Sequence, residues 1–182
     1  MKFAVQAVLG MSLVFANPAF AAATSATAAA APVAAVTPAH VAAVQDLLGA
    51  MQIEKTLWGV ATRSRYQSEA QRKAVFAKIE KVPPAEVYQR LARPLALAIS
   101  ADTALEMTRF YRTPYGKLVI HKRYNSAAQI MLPGMRTTVP AEEREERKRA
   151  AYARASDELA AAEPAIDREA FKLVQMINSE KR

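Results

Sequence analysis

The chain has 182 residues, 25 Lys and Arg against 17 Asp and Glu, a net charge of +8, and no cysteine. The lack of cysteine excludes disulfides and a lipid attached at a cysteine, and this length suits one domain with one hydrophobic core. The two histidines, His40 and His121, lie far apart and no Gly-x-Ser-x-Gly motif is present. The sequence therefore offers no recognisable catalytic triad, metal site or cofactor site.

The first 21 residues have the features of a secretory signal peptide. Lys2 gives a basic start, residues 4–16 form a mostly apolar run, and Ala19-Phe20-Ala21 is a small-x-small cleavage sequence. The run is shorter than the roughly 20 apolar residues that cross a bilayer. We expect export to the periplasm, cleavage near Ala21 and no transmembrane segment in the mature form. An Ala-rich flexible tether over 22–36 then precedes a helical domain at 37–182.

From residue 37 the apolar spacing is helical. Thr37-Pro38 is a cap followed by proline at the first helical position. One arc of this helix carries Val41, Val44, Leu47, Leu48, Met51 and Trp58, and the other side carries Ile53, Leu57 and Val60. Because both sides are apolar, we expect the second half to be buried on two faces or bent near Gly49, with Trp58 in the core.

Prolines and capping residues divide the rest of the chain into further helices. The predicted helices are one at 68–80, one from Pro83-Pro84 that Pro94 kinks or breaks, one from Ser100 to Tyr111, one from Pro114 toward Met131, a long one that Pro140 starts and Pro164 closes, and a final amphipathic one with Ile166, Ala170, Leu173, Val174 and Ile177. No segment alternates with period two over a useful length. The sequence therefore predicts an all-α, single-domain multi-helix bundle.

The stretch from Phe110 to Lys117 predicts a tight corner between two helices. Phe110 and Tyr111 lie on the apolar arc of the preceding helix. Thr113 and Pro114 form a capped helix start, and Gly116 in the new first turn permits close approach. The alternative is an anion-binding helix start that includes Lys117. A phosphate loop would need more glycines and a Ser or Thr after the lysine, where Leu118 stands.

Aromatic-Tyr-x-Thr-Pro-x-Gly-Lys, preceded by the Ser100-capped helix and followed by a short basic helix, resembles a bacterial family of exported all-helical domains of unknown function, domain-of-unknown-function family 2059. The close resemblance covers about 91–124, within a motif-matching part of about 37–136. It implies an α-helical periplasmic domain, and no reaction, cofactor or catalytic residue. The charged C-terminal helices at 140–180 have no counterpart in it and are a candidate add-on arm.

The positive charge is concentrated between Arg63 and Arg136. We expect one contiguous basic surface made by Arg63, Arg65, Arg72 and Lys73 from one side and by the possible anion-binding group Lys117, Lys122 and Arg123 from the other. Export argues against nucleic acid as a partner, and the cations are not interleaved with aromatic residues in a base-stacking pattern. The expected partner is an unknown envelope protein or an anionic envelope component.

Three functions remain open. The first is a non-catalytic periplasmic module that presents its basic surface to an envelope partner. The second is a glycan-cleaving envelope enzyme with Glu54 as its acid, in which Trp58 would be a sugar platform. Glu106 is a weaker acid candidate, because it is expected to form a solvated ion pair with Arg109. The third is a chaperone-like helical scaffold with an apolar groove.

Overall fold

The computed structural model describes residues 36–125 and 140–180. The helices in these ranges are α1 Pro38–Ala50, α2 Glu54–Arg63, α3 Glu69–Glu80, α4 Pro84–Leu95, α5 Ala101–Arg112, α6 Pro114–Asn125, α7 Ala141–Arg147 and α8 Ala150–Ser179. No strand occurs in the described residues, so the predicted all-α multi-helix bundle is confirmed. The predicted signal peptide, the predicted tether except Val36, and the expected extension of α6 toward Met131 lie outside them.

Side-chain caps set the starts of three helices. The hydroxyls of Thr37, Ser68 and Ser100 each accept a hydrogen bond from a backbone N–H three residues on. Pro83 precedes α4, and Pro94 lies in its last turn, one residue before its end. The predicted starts of these helices and the break at Pro94 are therefore confirmed.

One hydrophobic core joins all of the described helices except α7. α8 packs against α2, α3, α4, α5 and α7, while α1 packs against α4 and α5. Leu47, Leu95, Ile99, Leu173 and Ile177 are almost completely buried. Because α8 supplies the core along most of its length, this helix packs as part of the bundle.

The first helix is interrupted where the sequence predicted a bend. α1 ends at Ala50 and α2 begins at Glu54, and Gln52 between them has a left-handed φ of 53°. This turn changes the rotational phase of α2, so Leu57 points into the core and Trp58 is 41% exposed. The prediction that Trp58 is a core residue is wrong, because it assumed one continuous helical phase.

The predicted helix from Pro140 to Pro164 is also wrong in its extent. α7 starts after Pro140 but ends at Arg147, and α8 continues through Pro164 to Ser179. The buried residues Leu159 and Ala162 before the proline align with Ile166 and Ala170 after it. This continuous packing offsets the roughly 3 kcal/mol that an interior proline costs a helix. Within 36–125 and 140–180, no helix combines the length and apolar character needed to cross a bilayer.

A cationic cleft as the candidate functional site

The Phe110–Lys117 stretch forms a closely packed corner between α5 and α6. Thr113 Oγ1 accepts a hydrogen bond from the Gly116 N–H at 2.9 Å and donates one to the Phe110 carbonyl at 2.7 Å. A Cβ atom at Gly116 would lie 2.1 Å from the Phe110 carbonyl oxygen. Phe110 and Tyr111 are buried, and burial raises the pKa of Tyr111 to about 12. These contacts agree with the corner interpretation.

The three cations of the expected anion-binding group do not line one depression. Lys117 lines a separate depression of about 610 Å³ with Arg112, Leu118 and His121. Arg123 instead lines a different cleft, and its Nη2 is 3.1 Å from Glu163 Oε1 on α8. Lys122 is exposed. Six positions along an α-helix turn a side chain by roughly 240°, which is why Lys117 and Arg123 lie on different faces of α6.

The cleft that Arg123 lines lies between α2, the C-terminal end of α6 and α8, with a volume of about 580 Å³. We call it the cationic cleft; it is lined by Lys55, Thr56, Trp58, Gly59, Thr62, Arg63, Arg123, Tyr124, Asn125 and Asp167. Arg63 and Arg123, one from each group of the expected basic surface, thus line the same cavity together with Lys55. Arg65, Lys73, Lys117 and Lys122 are exposed outside the lining, as is Arg72, which pairs with Glu69 at 3.3 Å.

Contacts between α2 and α6 hold the base of the cleft. The hydroxyls of Thr56 and Tyr124 are 3.2 Å apart, and the ammonium of Lys55 lies 5.6 Å from the centre of the Tyr124 ring. Burial raises the pKa of Tyr124, against the lowering effects of the Thr56 hydrogen bond and the Arg123 charge. Tyr124 therefore stays neutral at ordinary pH and can share its hydroxyl with Thr56.

Trp58 forms an aromatic wall of the cleft. Its ring centre lies 5.2 Å from that of Phe76 on α3, and Arg72 covers Phe76 at 5.6 Å. The contact with Phe76 supports the indole while leaving it 41% exposed. An exposed tryptophan fixed by a second aromatic ring is a preorganised contact surface, because little side-chain entropy remains to be lost on binding.

A signal for this site is present in the sequence, although the expected basic surface contained only Arg63 of the α2 residues that line the cleft. Lys55, Trp58, Gly59, Thr62 and Arg63 have the spacing i, i+3, i+4, i+7 and i+8, which places them on one face of α2. That face becomes visible only when α2 is treated as a helix separate from α1. Tyr124, Asn125 and Asp167 come from distant parts of the sequence and carry no comparable signal.

Glu54, the candidate acid, does not line the cationic cleft. Its carboxylate accepts a hydrogen bond of 2.6 Å from the Tyr88 hydroxyl on α4. Burial, followed by this hydrogen bond, raises the pKa of Tyr88. Among the described lining residues, Asp167 is the one carboxylate.

Glu106 forms the expected ion pair with Arg109 at 2.9 Å, but it is not solvated as predicted. Arg149 approaches it at 2.8 Å, and its side chain is only 15% exposed. Glu146 of α7 also contacts both arginines, so four charged groups connect α5 with α7 and the start of α8. Burial raises the pKa of Glu106, but the hydrogen bonds from Arg109 and Arg149 outweigh it and hold the pKa below its ordinary value.

No family model, curated protein or solved structure matches this chain. The resemblance to the family of exported helical domains thus remains a prediction.

Proposed function

We propose that this chain is a non-catalytic helical module of the periplasm that binds an anionic envelope component in the cationic cleft. The observation that carries the proposal is the convergence of Lys55, Arg63 and Arg123 on one cavity beside Trp58. Three cations at a concave surface attract an anion more strongly than the same cations spread over a convex surface, because their fields add within the cavity. The signal sequence and the family resemblance support the envelope location.

The acidic neighbours of the cleft reduce this field without cancelling it. Arg123 pairs with Glu163, and Asp167 lies in the lining. Both members of the Arg123–Glu163 pair are substantially exposed, and such pairs contribute roughly 0–1 kcal/mol. An incoming anion can therefore displace Glu163 from Arg123 at small cost.

The two alternative functions have weaker structural support. A glycan-cleaving enzyme commonly uses two carboxyl groups that flank the scissile bond. Glu54 lies outside the cleft lining, where Asp167 is the one carboxylate among the described residues. A chaperone-like scaffold requires a continuous apolar groove, whereas the exposed large apolar residues, Trp58, Leu97, Leu105, Leu118, Phe171 and Met176, are distributed over α2, α5, α6, α8 and the turn after α4.

Binding to anionic membranes and to lipopolysaccharide tests the proposal. Protein purified from the periplasm after expression of the full chain is mixed with phosphatidylglycerol vesicles, phosphatidylcholine vesicles or lipopolysaccharide. We expect binding to at least one anionic material and none to phosphatidylcholine. Binding should weaken from about 0.1 M to about 1 M salt, because the Debye length falls from roughly 10 Å to roughly 3 Å.

Matched variants locate the binding site. The double variant Arg63→Gln with Arg123→Gln should weaken binding about tenfold or more, since it removes two of the three cations that line the cleft among the described residues. Lys117→Gln with Lys122→Gln removes the same charge elsewhere on the surface and should have little effect. Equal losses in the two double variants, or binding that ignores salt, would contradict the proposal.

A further inference from the structure

The cationic cleft has features that distinguish among anions. We propose that its ligand is an acidic oligosaccharide, whose sugar ring packs on Trp58 while a carboxylate on the chain pairs with Arg63 or Arg123. This inference rests on the proposed function and specifies the class of anion.

The cleft combines an aromatic face with cations. The C–H face of a pyranose ring is apolar and flat enough to cover an exposed indole, whereas its rim carries hydroxyls and, in a uronic acid, a carboxylate. Trp58 and Tyr124 line the cleft with Lys55, Arg63 and Arg123. An inorganic polyanion would use the cations and gain nothing from the indole.

The cleft also contains hydrogen-bond acceptors among its cations. Asp167 contributes a carboxylate to the lining, and Glu163 lies beside Arg123. A phosphate chain presents almost only acceptor oxygens and is repelled by both carboxylates. Sugar hydroxyls can donate to them, and Thr62 and Asn125 add further polar groups to the lining.

The site extends beyond the cationic cleft into a neighbouring depression. A second depression of about 190 Å³, lined by Val60, Arg63, Ser64, Asp167 and Phe171, shares Arg63 and Asp167 with the cationic cleft. Phe171 is 48% exposed there. The two depressions are neighbours because they share Arg63 and Asp167, and each has an exposed aromatic residue in its lining, Trp58 or Phe171, which suits a chain of several sugar units.

Intrinsic fluorescence tests the inference directly, because Trp58 is the single tryptophan of the sequence. The wild-type protein is titrated at about 0.1 M salt with oligogalacturonate, a neutral maltooligosaccharide and a polyphosphate of similar charge. We expect a saturable change in Trp58 emission with oligogalacturonate at concentrations about tenfold or more below those needed for the neutral sugar. Polyphosphate should need higher concentrations than oligogalacturonate.

Two substitutions separate the contribution of the Trp58 ring to binding from that of the charged groups. Calorimetry measures the binding of each variant. Trp58→Leu should weaken oligogalacturonate binding about tenfold and leave polyphosphate binding unchanged, with Leu105→Ala on α5 as the control for an exposed apolar side chain. Asp167→Asn should strengthen polyphosphate binding more than oligogalacturonate binding, because it removes a repulsive charge. Circular dichroism checks that each variant is folded, and the wild-type titrations need no variant.

The outcomes distinguish this inference from the proposed function. If polyphosphate binds through Arg63 and Arg123 at least as tightly as oligogalacturonate, the saccharide inference is wrong and anion binding in the cleft stands. If the neutral sugar binds as well as the acidic one, the cations are irrelevant and both proposals fail. If neither anion binds at about 0.1 M salt, the saccharide inference is wrong, and the vesicle and lipopolysaccharide experiment decides the proposed function.

Discussion

Gln52 determines, through its backbone, which side chains of α2 enter the core. Its φ of 53° allows Ile53 to bond back to the Leu48 carbonyl at 3.1 Å and starts α2 in a new phase. This phase turns Trp58, Thr62 and Arg63 toward the cleft. One left-handed residue thereby connects the local conformation with the composition of the candidate site.

Replacement of Gln52 by valine should destabilise the protein. A β-branched residue is strained in the left-handed region, and we expect a loss of about 1–2 kcal/mol in the free energy of unfolding, measured by chemical denaturation. Gln52→Asn is the control, because asparagine tolerates this conformation. If valine and asparagine have the same effect, Gln52 does not adopt the left-handed conformation.

Gly116 is the residue on which the α5–α6 corner depends most. In Gly116→Ala, the new Cβ would lie 2.1 Å from the Phe110 carbonyl oxygen, a backbone atom that cannot rotate away. We expect a loss of about 3 kcal/mol in thermal or chemical unfolding. The control is Gly59→Ala, where the nearest atom is Arg63 Nη1 at 3.6 Å and the higher helix propensity of alanine should stabilise by about 0.5–1 kcal/mol. Equal stability of Gly116→Ala and the wild type would contradict the close approach.

Among the elements, α7 is held to the bundle by polar contacts. None of its seven residues, all in the described part of the chain, is buried. Tyr115 donates a hydrogen bond of 2.9 Å to Glu143, and Arg109 and Arg149 bind Glu146. Burial and then the Glu143 hydrogen bond raise the pKa of Tyr115 to about 12. The attachment of α7 should therefore depend on the ionisation of its glutamates.

Acid should weaken the attachment of α7 before it disrupts the core. The hydrogen bond from Arg147 holds the pKa of Glu143 below its ordinary value, and that from Arg109 does the same for Glu146. A lowered folded-state pKa gives stability that is fully present above the unfolded value of about 4.3 and is lost as the pH falls through the folded value. We expect the melting temperature to fall on acidification below about pH 5, and to fall less in Glu146→Gln. Parallel pH profiles for the two proteins would contradict this account.

The helices themselves were largely predictable because their signals are local. Thr37, Ser68 and Ser100 are adjacent to the helices that they cap, and the apolar spacing of α4 and α5 requires no knowledge of distant residues. The errors arose where apolar spacing alone does not determine the structure. Packing along both sides of Pro164 keeps α8 continuous. The left-handed turn at Gln52, which the spacing does not indicate, changes the phase of α2 and exposes Trp58.

The candidate site was predictable only in part. The sequence predicted a basic surface that included Arg63 and Arg123, but it could not show that α2, α6 and α8 form one cleft beside them. Helix spacing puts Lys117 and Arg123 on different faces of α6, but it could not show which of these faces lines a cleft, because the cleft also depends on Asp167 and other residues that are distant in sequence. The location of a cleft depends on packing between elements, which the periodicity of one element does not encode.

At the scale of the whole molecule, we predict that the chain is exported and then cleaved, independently of whether the cleft binds an anion. Lys2, the apolar run at 4–16 and the small residues at Ala19 and Ala21 should direct the chain to the periplasm, where cleavage removes residues 1–21. Intact-mass analysis of the periplasmic fraction measures the result. A protein that keeps its first 21 residues and remains in the membrane fraction would contradict both the cleavage and the location.

The most direct test of anion binding in the cationic cleft is an NMR titration of the isotope-labelled protein with oligogalacturonate and, separately, with polyphosphate. We expect the anion that binds at the lower concentration to shift the signals of the Trp58 indole N–H, the Asn125 side-chain amide and the Nε–H groups of Arg63 and Arg123. The signals of Lys117 and Arg112 should remain unchanged in the same titration. Shifts concentrated at Lys117 and Arg112, or no shifts with either anion, would contradict this expectation.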